Sequence, residues 1–287
     1  MKSLLFFFLQ MLLFVSVASA QDDLMALLEK ESDPVSNFAE ATFKGSRLIN
    51  GHSVMTRKKG ALEFLIAHRF GRLNTGIYEL FGIDGANVRF GLEYGINDQL
   101  TVGIGRNSFE KTYDGFAKWA ILRQQTGQRN IPLSITGFAS MAIKTLKSVD
   151  PEIEIEFTDR LAYTYQLLIA RKLNEKLSLQ LMPSLVHRNE VADGANNDLY
   201  ALGMGGRFKL SKRLSINAEY YHRFNKANEN LVHNSLAIGV DIETGGHVFQ
   251  LHLTNSRAMI EKGFIGETTG DFFNGDIHFG FNVTRVF

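Results

Sequence analysis

Three histidines, His233, His252 and His278, carry the side chain that most often ligates a transition metal, and the alternation around them turns all three to one side of their stretches. Spacing breaks the cluster. The two-glycine turn at 245–246 pairs Thr244 with His247, which sets Gly239 opposite His252 and leaves His233 six residues farther along its own stretch. At a rise of about 3.3 Å per residue that is on the order of 20 Å. No metal and no cofactor are expected. His233-Asn234-Ser235 comes nearest to a nucleophile cluster. His233 and Ser235 share a face, but no carboxylate is in place to orient the histidine as a hydrolytic triad requires. Catalysis is not expected. Gly103-Ile104-Gly105 lies within an extended stretch and lacks the strand-to-helix context of a phosphate loop. Glu152, Glu154 and Glu156 share one side of an extended segment and could hold calcium loosely, though such a row reads first as a solvated strand face.

A larger set of charges shares one face by the same alternation: Glu63, Arg69, Arg89, Glu93, Lys118, Lys144, Arg160, Arg188, Arg207, Lys209, Glu219, Arg223, Asp241 and Glu243. Both signs are present. Around water, such a face makes a channel lining whose Arg and Lys bias it toward small anions. Filled, it makes ladders of ion pairs. Over the whole chain 31 basic and 30 acidic residues nearly cancel, so nothing points to nucleic acid as a partner.

The elements that carry these charges are long and alternating. Twelve can be counted, at about 61–70, 86–95, 99–108, 115–125, 131–146, 159–172, 176–188, 198–210, 213–224, 231–243, 247–255 and 275–287. In 159–172, Leu161, Tyr163, Tyr165, Leu167 and Ile169 oppose Arg160, Ala162, Thr164, Gln166 and Ala170; in 86–95, Val88, Phe90, Leu92 and Tyr94 oppose Asn87, Arg89, Gly91 and Glu93. A period of two with one apolar face belongs to β-strands. The connections alternate too. Tight ones at 96–98, 126–130, 173–175, 211–212 and 244–246 interleave with longer ones at 71–85, 109–114, 147–158, 189–197, 225–230 and 256–274. Strict short–long alternation is the signature of a membrane-spanning barrel with turns on one side and loops on the other. The final stretch ends on Phe287, an aromatic placed as an assembly signal for the barrel-assembly machinery.

Residues 1–20 read as a secretory signal peptide: Lys2, an apolar run from Leu4 to Val17, then Ala18-Ser19-Ala20. The chain holds no cysteine, so neither a disulfide nor a lipidated cysteine is available. Beyond residue 20 no run of apolar residues is long enough for a helical span. Residues 21–59 stand apart, with a short helix capped by Asp22 and Asp23, a short strand over 41–49 and a turn at Asn50-Gly51. Twelve strands already close with both ends on one side, and lipid does not tolerate an open edge. The segment 21–59 is therefore expected in the lumen or at its periplasmic mouth, with residues 60–287 forming the barrel.

Three further stretches carry a resemblance: Ala41-Thr-Phe-Lys-Gly-Ser-Arg-Leu-Ile-Asn-Gly-His-Ser53, Tyr78-Glu-Leu-Phe-Gly82 and Leu100-Thr-Val-Gly-Ile-Gly-Arg-Asn-Ser-Phe-Glu-Lys-Thr-Tyr-Asp-Gly115. They resemble a β-barrel family of Bacteroidota known only as a domain of unknown function. The resemblance implies an outer-membrane barrel and supplies no catalytic residue or substrate. The expected fold is all-β, a membrane-spanning antiparallel up-and-down β-barrel of about twelve strands. The expected role is a narrow porin-like channel for small solutes in the outer membrane of a Gram-negative bacterium, in contact with outer-membrane lipid. A non-conducting structural or partner-binding barrel is the alternative, and an outer-membrane enzyme a remote one.

Overall fold

Alternation becomes wall. In the computed structural model, which describes residues 36–148, 155–191, 195–224 and 231–287, the strands are β1 (Leu62–Arg72), β2 (Asn87–Gly95), β3 (Leu100–Asn107), β4 (Tyr113–Leu122), β5 (Ser134–Ile143) and β6 (Leu161–Lys172). They continue as β7 (Leu177–Arg188), β8 (Asp198–Lys209), β9 (Leu214–Arg223), β10 (Ser235–Thr244), β11 (His247–Thr254) and β12 (His278–Val286). Each pairs antiparallel with its neighbours in the chain, and β12 pairs with β1 to close the ring. The seam sets Phe281 opposite His68 and Val283 opposite Ile66, with one irregularity between His278 and Gly280. Phe287 extends that seam: its N–H donates to the Leu62 carbonyl at 2.8 Å.

The faces are inverted relative to a soluble barrel. Outward side chains are apolar and open, with Ile104 65%, Trp119 59%, Tyr200 52% and Phe90 50% exposed. Inward ones include Lys118, Arg69, Arg89 and Glu219, all 2% exposed or less. Charged residues are almost never buried while large apolar ones lie bare, unless the outer solvent is lipid. Trp119 tests the assignment because it is the chain's only tryptophan. Its fluorescence is expected to be quenched by brominated lipid and spared by acrylamide; the reverse would place that face in water.

Tight turns at 96–99, 173–176, 210–213 and 245–246 gather at one end of the ring, here the turn end, and the long connections at the other, the loop end. Some boundaries differ from the periodicity. β5 begins at Ser134 rather than 131 because Pro132 cannot donate to a ladder. β4 stops at Leu122, so the expected five-residue turn is a longer crossing. Asn37–Phe38 and Gln125–Thr126 pair with each other in a small ladder that belongs to a separate compact unit. β10 begins at Ser235, so His233 lies in the preceding loop and is not an inward strand residue. No strand forms over 41–49; a bridge between Arg47 and His52 is all the extended pairing there, because the segment turns too soon to build a ladder. The signal peptide, the helix after Asp22 and the residues Glu152 and Glu154 lie outside the described residues.

Candidate functional site in the lumen

The site starts from two residues that force a turn. Asn50-Gly51 closes a tight hairpin in which Leu48 N–H donates to the Gly51 carbonyl and Ser53 N–H to the Ser46 carbonyl, each at 2.8 Å. Gly51 is required there, since a Cβ would collide with the hydroxyl of Tyr221. So short a hairpin leaves most of its backbone groups unpaired, and burial makes each of them costly. Inward side chains of the wall satisfy them. Glu219 accepts N–H groups from Asn50 at 2.8 Å, Gly51 at 3.2 Å and Ile49 at 3.3 Å. Gln180 donates to the His52 carbonyl at 2.8 Å and accepts from Val54 N–H at 2.9 Å. Lys118 Nζ donates to the carbonyl of Met55 at 2.6 Å and to that of Ser46 at 3.3 Å. Thr136 donates to the Val54 carbonyl at 2.9 Å and Asn282 to that of Ile49 at 3.0 Å. Arg69 reaches the side-chain oxygen of Asn50, and Gln250 the Leu48 carbonyl. Partners come from strands all round the ring, so the hairpin lies inside it.

A second insertion comes from the loop between β11 and β12. Its short helix α1 (Glu261–Gly266) is buried at every residue, with Phe264 and Ile265 wholly inaccessible. These join Phe43, Leu48 and Val54 of the hairpin segment against Leu168, Met182 and Val186 of the wall. The lumen is thus half charged and half dry.

The two insertions meet at charge. Glu261 Oε1 lies 3.7 Å from Arg47 Nη1 and 3.7 Å from His52 Nε2. His52 is held between the rings of Phe116 at 4.5 Å and Phe138 at 4.6 Å. Burial, seconded by Arg47, Lys118 and Arg89, keeps the imidazole well below its usual range, so it is neutral. Burial pushes the Glu261 carboxyl up to about 7, against the pull of Arg47. Glu261 Oε1 and both His52 ring nitrogens make no hydrogen bond. The contact is electrostatic and titratable.

Of the charges on the inward face, Glu63, Arg69, Arg89, Glu93, Lys118, Arg207, Glu219, Arg223 and Asp241 are buried within the ring. Arg89 pairs with Asp114 at 2.5 Å, Glu63 with Arg57 at 3.1 Å, and Arg207 donates to the Ala41 carbonyl at 3.2 Å. Three others stand at the loop-end rim. Lys144 lies beyond β5 and pairs with Glu110 at 2.8 Å; Arg160 precedes β6 and donates to the Leu146 carbonyl at 3.0 Å; Arg188 ends β7 and donates to the Asn196 carbonyl at 3.3 Å. Glu243 pairs with Lys44 towards the turn end. His252 sits opposite Gly239 in the register, and His278 Nδ1 donates to the Phe70 carbonyl at 2.9 Å. Among the described residues no group of three or more His, Asp and Glu could hold a metal.

Sequence reasoning passed over Arg47, His52 and Glu261. A signal for them existed. Leu168, Met182 and Val186 occupy inward positions where alternation calls for polar residues, and apolar side chains facing the lumen announce something packed there.

The profile of a family described as "Membrane bound beta barrel domain (DUF5777)" matches residues 43–287. No curated protein matches the chain. Among solved structures, a NanC porin shares 6% identity, covering 78% of this chain and 98% of its own at a TM-score of 0.49. An outer membrane channel from Pseudomonas putida shares 12%, covering 82% and 98%, also at 0.49. An outer membrane phospholipase A from Escherichia coli shares 12%, covering 80% and 91%, at 0.45. Likenesses this distant extend to neither a solute nor a reaction.

Proposed function

This chain belongs to the membrane-bound beta barrel domain family, and on that footing we propose that it is a narrow outer-membrane channel for small solutes whose lumen is held shut by its own hairpin. The observation that carries the reading is how the hairpin is held. Its buried backbone is tied to the wall by polar side chains such as Glu219, Gln180 and Lys118, which water can replace one by one when the segment moves. Ties of this kind satisfy the hairpin's buried backbone groups while it is docked and leave nothing unpaired when water takes their place. Charges of both signs then flank the opened path and bias it toward small ions.

Conductance in planar bilayers tests this. The full-length barrel is expected to open rare, small steps, and deletion of residues 21–59 to make them larger and more frequent. Silence in both would establish the second reading, a non-conducting barrel of the envelope. That reading is favoured by the dry packing of Phe43, Leu48 and Val54 against Phe264 and Ile265.

The same proposal takes the chain through the inner membrane on its first twenty residues and into the outer membrane of a Gram-negative bacterium by the barrel-assembly machinery. Phe287 supports this: it is 64% exposed at the seam, under the guanidinium of Arg285 at 4.7 Å, and it fills no site in the lumen. Its removal is expected to lower the yield of folded barrel several-fold while leaving the conductance of what folds unchanged; unaltered yield would remove the assembly role. The role proposed is transport rather than catalysis: Ser235 is buried on β10, and His233 lies in the loop before that strand instead of beside it on the inward face.

A further inference from the structure

We propose that the outer wall carries a site for a lipid with an anionic phosphate headgroup, built on Arg106 and Gly115. The register places the parts. One rung of the wall runs Ile104, Gly115, Met141 and the next, toward the loop end, runs Arg106, Tyr113, Ile143. All six side-chain positions face outward. Gly115 offers no side chain between Ile104 and Met141, and a cavity of about 480 Å³ opens there in an otherwise bulky apolar face. The rung below continues it with Ala117 and Ala139, again small. The result is an apolar track directed along the strands, which is the shape of an acyl chain lying against a wall.

At the loop-end lip of the track stands a cation. Arg106 is one residue from the end of β3, exposed, with its guanidinium 5.2 Å from the centre of the Tyr113 ring and one N–H on its neighbour's carbonyl, that of Asn107, at 3.3 Å. The nearest carboxylate along the ladder, Asp114, faces the other way and is taken by Arg89 at 2.5 and 3.0 Å. By contrast, the outward His187 at the end of β7 has Asp198 at 2.6 Å. Arg106 thus presents a fork of N–H donors at headgroup depth with no ion pair among the described residues. A guanidinium so placed matches a phosphate geometrically and in charge, and the apolar track below it matches the chain that a lipid brings and a free phosphate lacks. The proposal needs the barrel to sit in a membrane and is indifferent to whether it conducts.

The test replaces Trp119 with phenylalanine and Tyr113 with tryptophan, leaving one reporter at the lip, in phosphatidylcholine vesicles doped with an equal minor fraction of brominated phosphatidylglycerol or brominated phosphatidylcholine. Quenching by the anionic lipid is expected to exceed that by the neutral one several-fold. Arg106→Gln should bring the two to equality, and Gly115→Leu, which fills the track, should lower both. Heat-modifiable migration on a gel reports that each variant is folded. Equal quenching in the parent, selectivity that survives Arg106→Gln, or no quenching by either lipid, as when a second barrel covers the face, would each overturn the site. Loss of selectivity in excess inorganic phosphate would overturn the lipid and leave an anion site only.

Discussion

Replacing Glu219 by alanine is expected to release the hairpin from the lumen. The carboxylate receives the three backbone N–H groups at the hairpin's tip, those of Ile49, Asn50 and Gly51. Hydrogen bonds to a charged acceptor contribute about 1.5–3 kcal/mol each, and a donor left buried without a partner costs about as much. Three of them would sum to about 4.5–9 kcal/mol if independent, and because neighbouring bonds are not additive the working range is about 3–6 kcal/mol, with the lower figure the safer. The chain has no cysteine of its own, so Ser46→Cys supplies a clean reporter on a residue 2% exposed. Maleimide should modify Cys at 46 about a hundredfold faster or more when Glu219 is alanine, in line with the lower end of that range. Glu219→Gln keeps one acceptor oxygen and should give roughly half the effect in free energy. Equal rates in parent and alanine variant would mean that the tip is held by something other than this carboxylate.

The second large effect is a dependence on pH seated at Glu261. Burial raises its carboxyl to about 7, where an exposed glutamate titrates near 4.5. A group with a raised pKa in the docked state holds its proton more tightly there. Its contribution to docking is therefore full below about pH 4.5 and is lost as pH rises through about 7. A displacement of that size corresponds to about 3 kcal/mol. The groups facing Glu261 are Arg47 and His52 of the hairpin, with Arg89 and Asp114 of the wall acting at longer range. His52 adds little to the upper part of this window, because burial lowers its pKa well below the usual value. The expectation is that Ser256→Cys, buried at the root of α1, becomes more reactive with rising pH. Corrected for thiol ionisation, the change from pH 5 to pH 8 should approach two orders of magnitude. Glu261→Gln, which cannot ionise, should flatten the profile at the protected level. A profile that stays as steep in the glutamine variant would move the titration to another group.

The Trp119 and Phe287 experiments address the wall, whereas these two address what fills it, and the division follows how each was legible. Every wall strand was foreshadowed by its own residues. Val88, Phe90, Leu92 and Tyr94 against Asn87, Arg89, Gly91 and Glu93 settle two faces without reference to anything distant, since successive side chains of a strand point opposite ways. Connection lengths then set direction, and the two glycines at 245–246 set a register that the ladder keeps, His252 against Gly239. Which solvent meets the apolar face was also decided along the chain, by the alternation of short turns with long loops.

Contacts between parts far apart in sequence were not so decided. Nothing local to Glu261 says that it will stand 3.7 Å from Arg47. Nothing near Glu219 says that it will cap a turn 168 residues away at Gly51. The charged row on the inner face read equally well as a channel lining or as filled ion-pair ladders, because parity gives the side a residue faces and not what it meets there. The chain by itself determined the barrel, its faces and its order of strands, which follow from a period of two and from the rule that lipid leaves no backbone edge unpaired. Strand parity also put the segment 21–59 in the lumen or at its mouth, but only the tertiary structure decided that its hairpin lies within beside a helix from the last loop, and that the two meet at Arg47, His52 and Glu261, because burial and electrostatic pairing belong to positions in space rather than to positions in sequence.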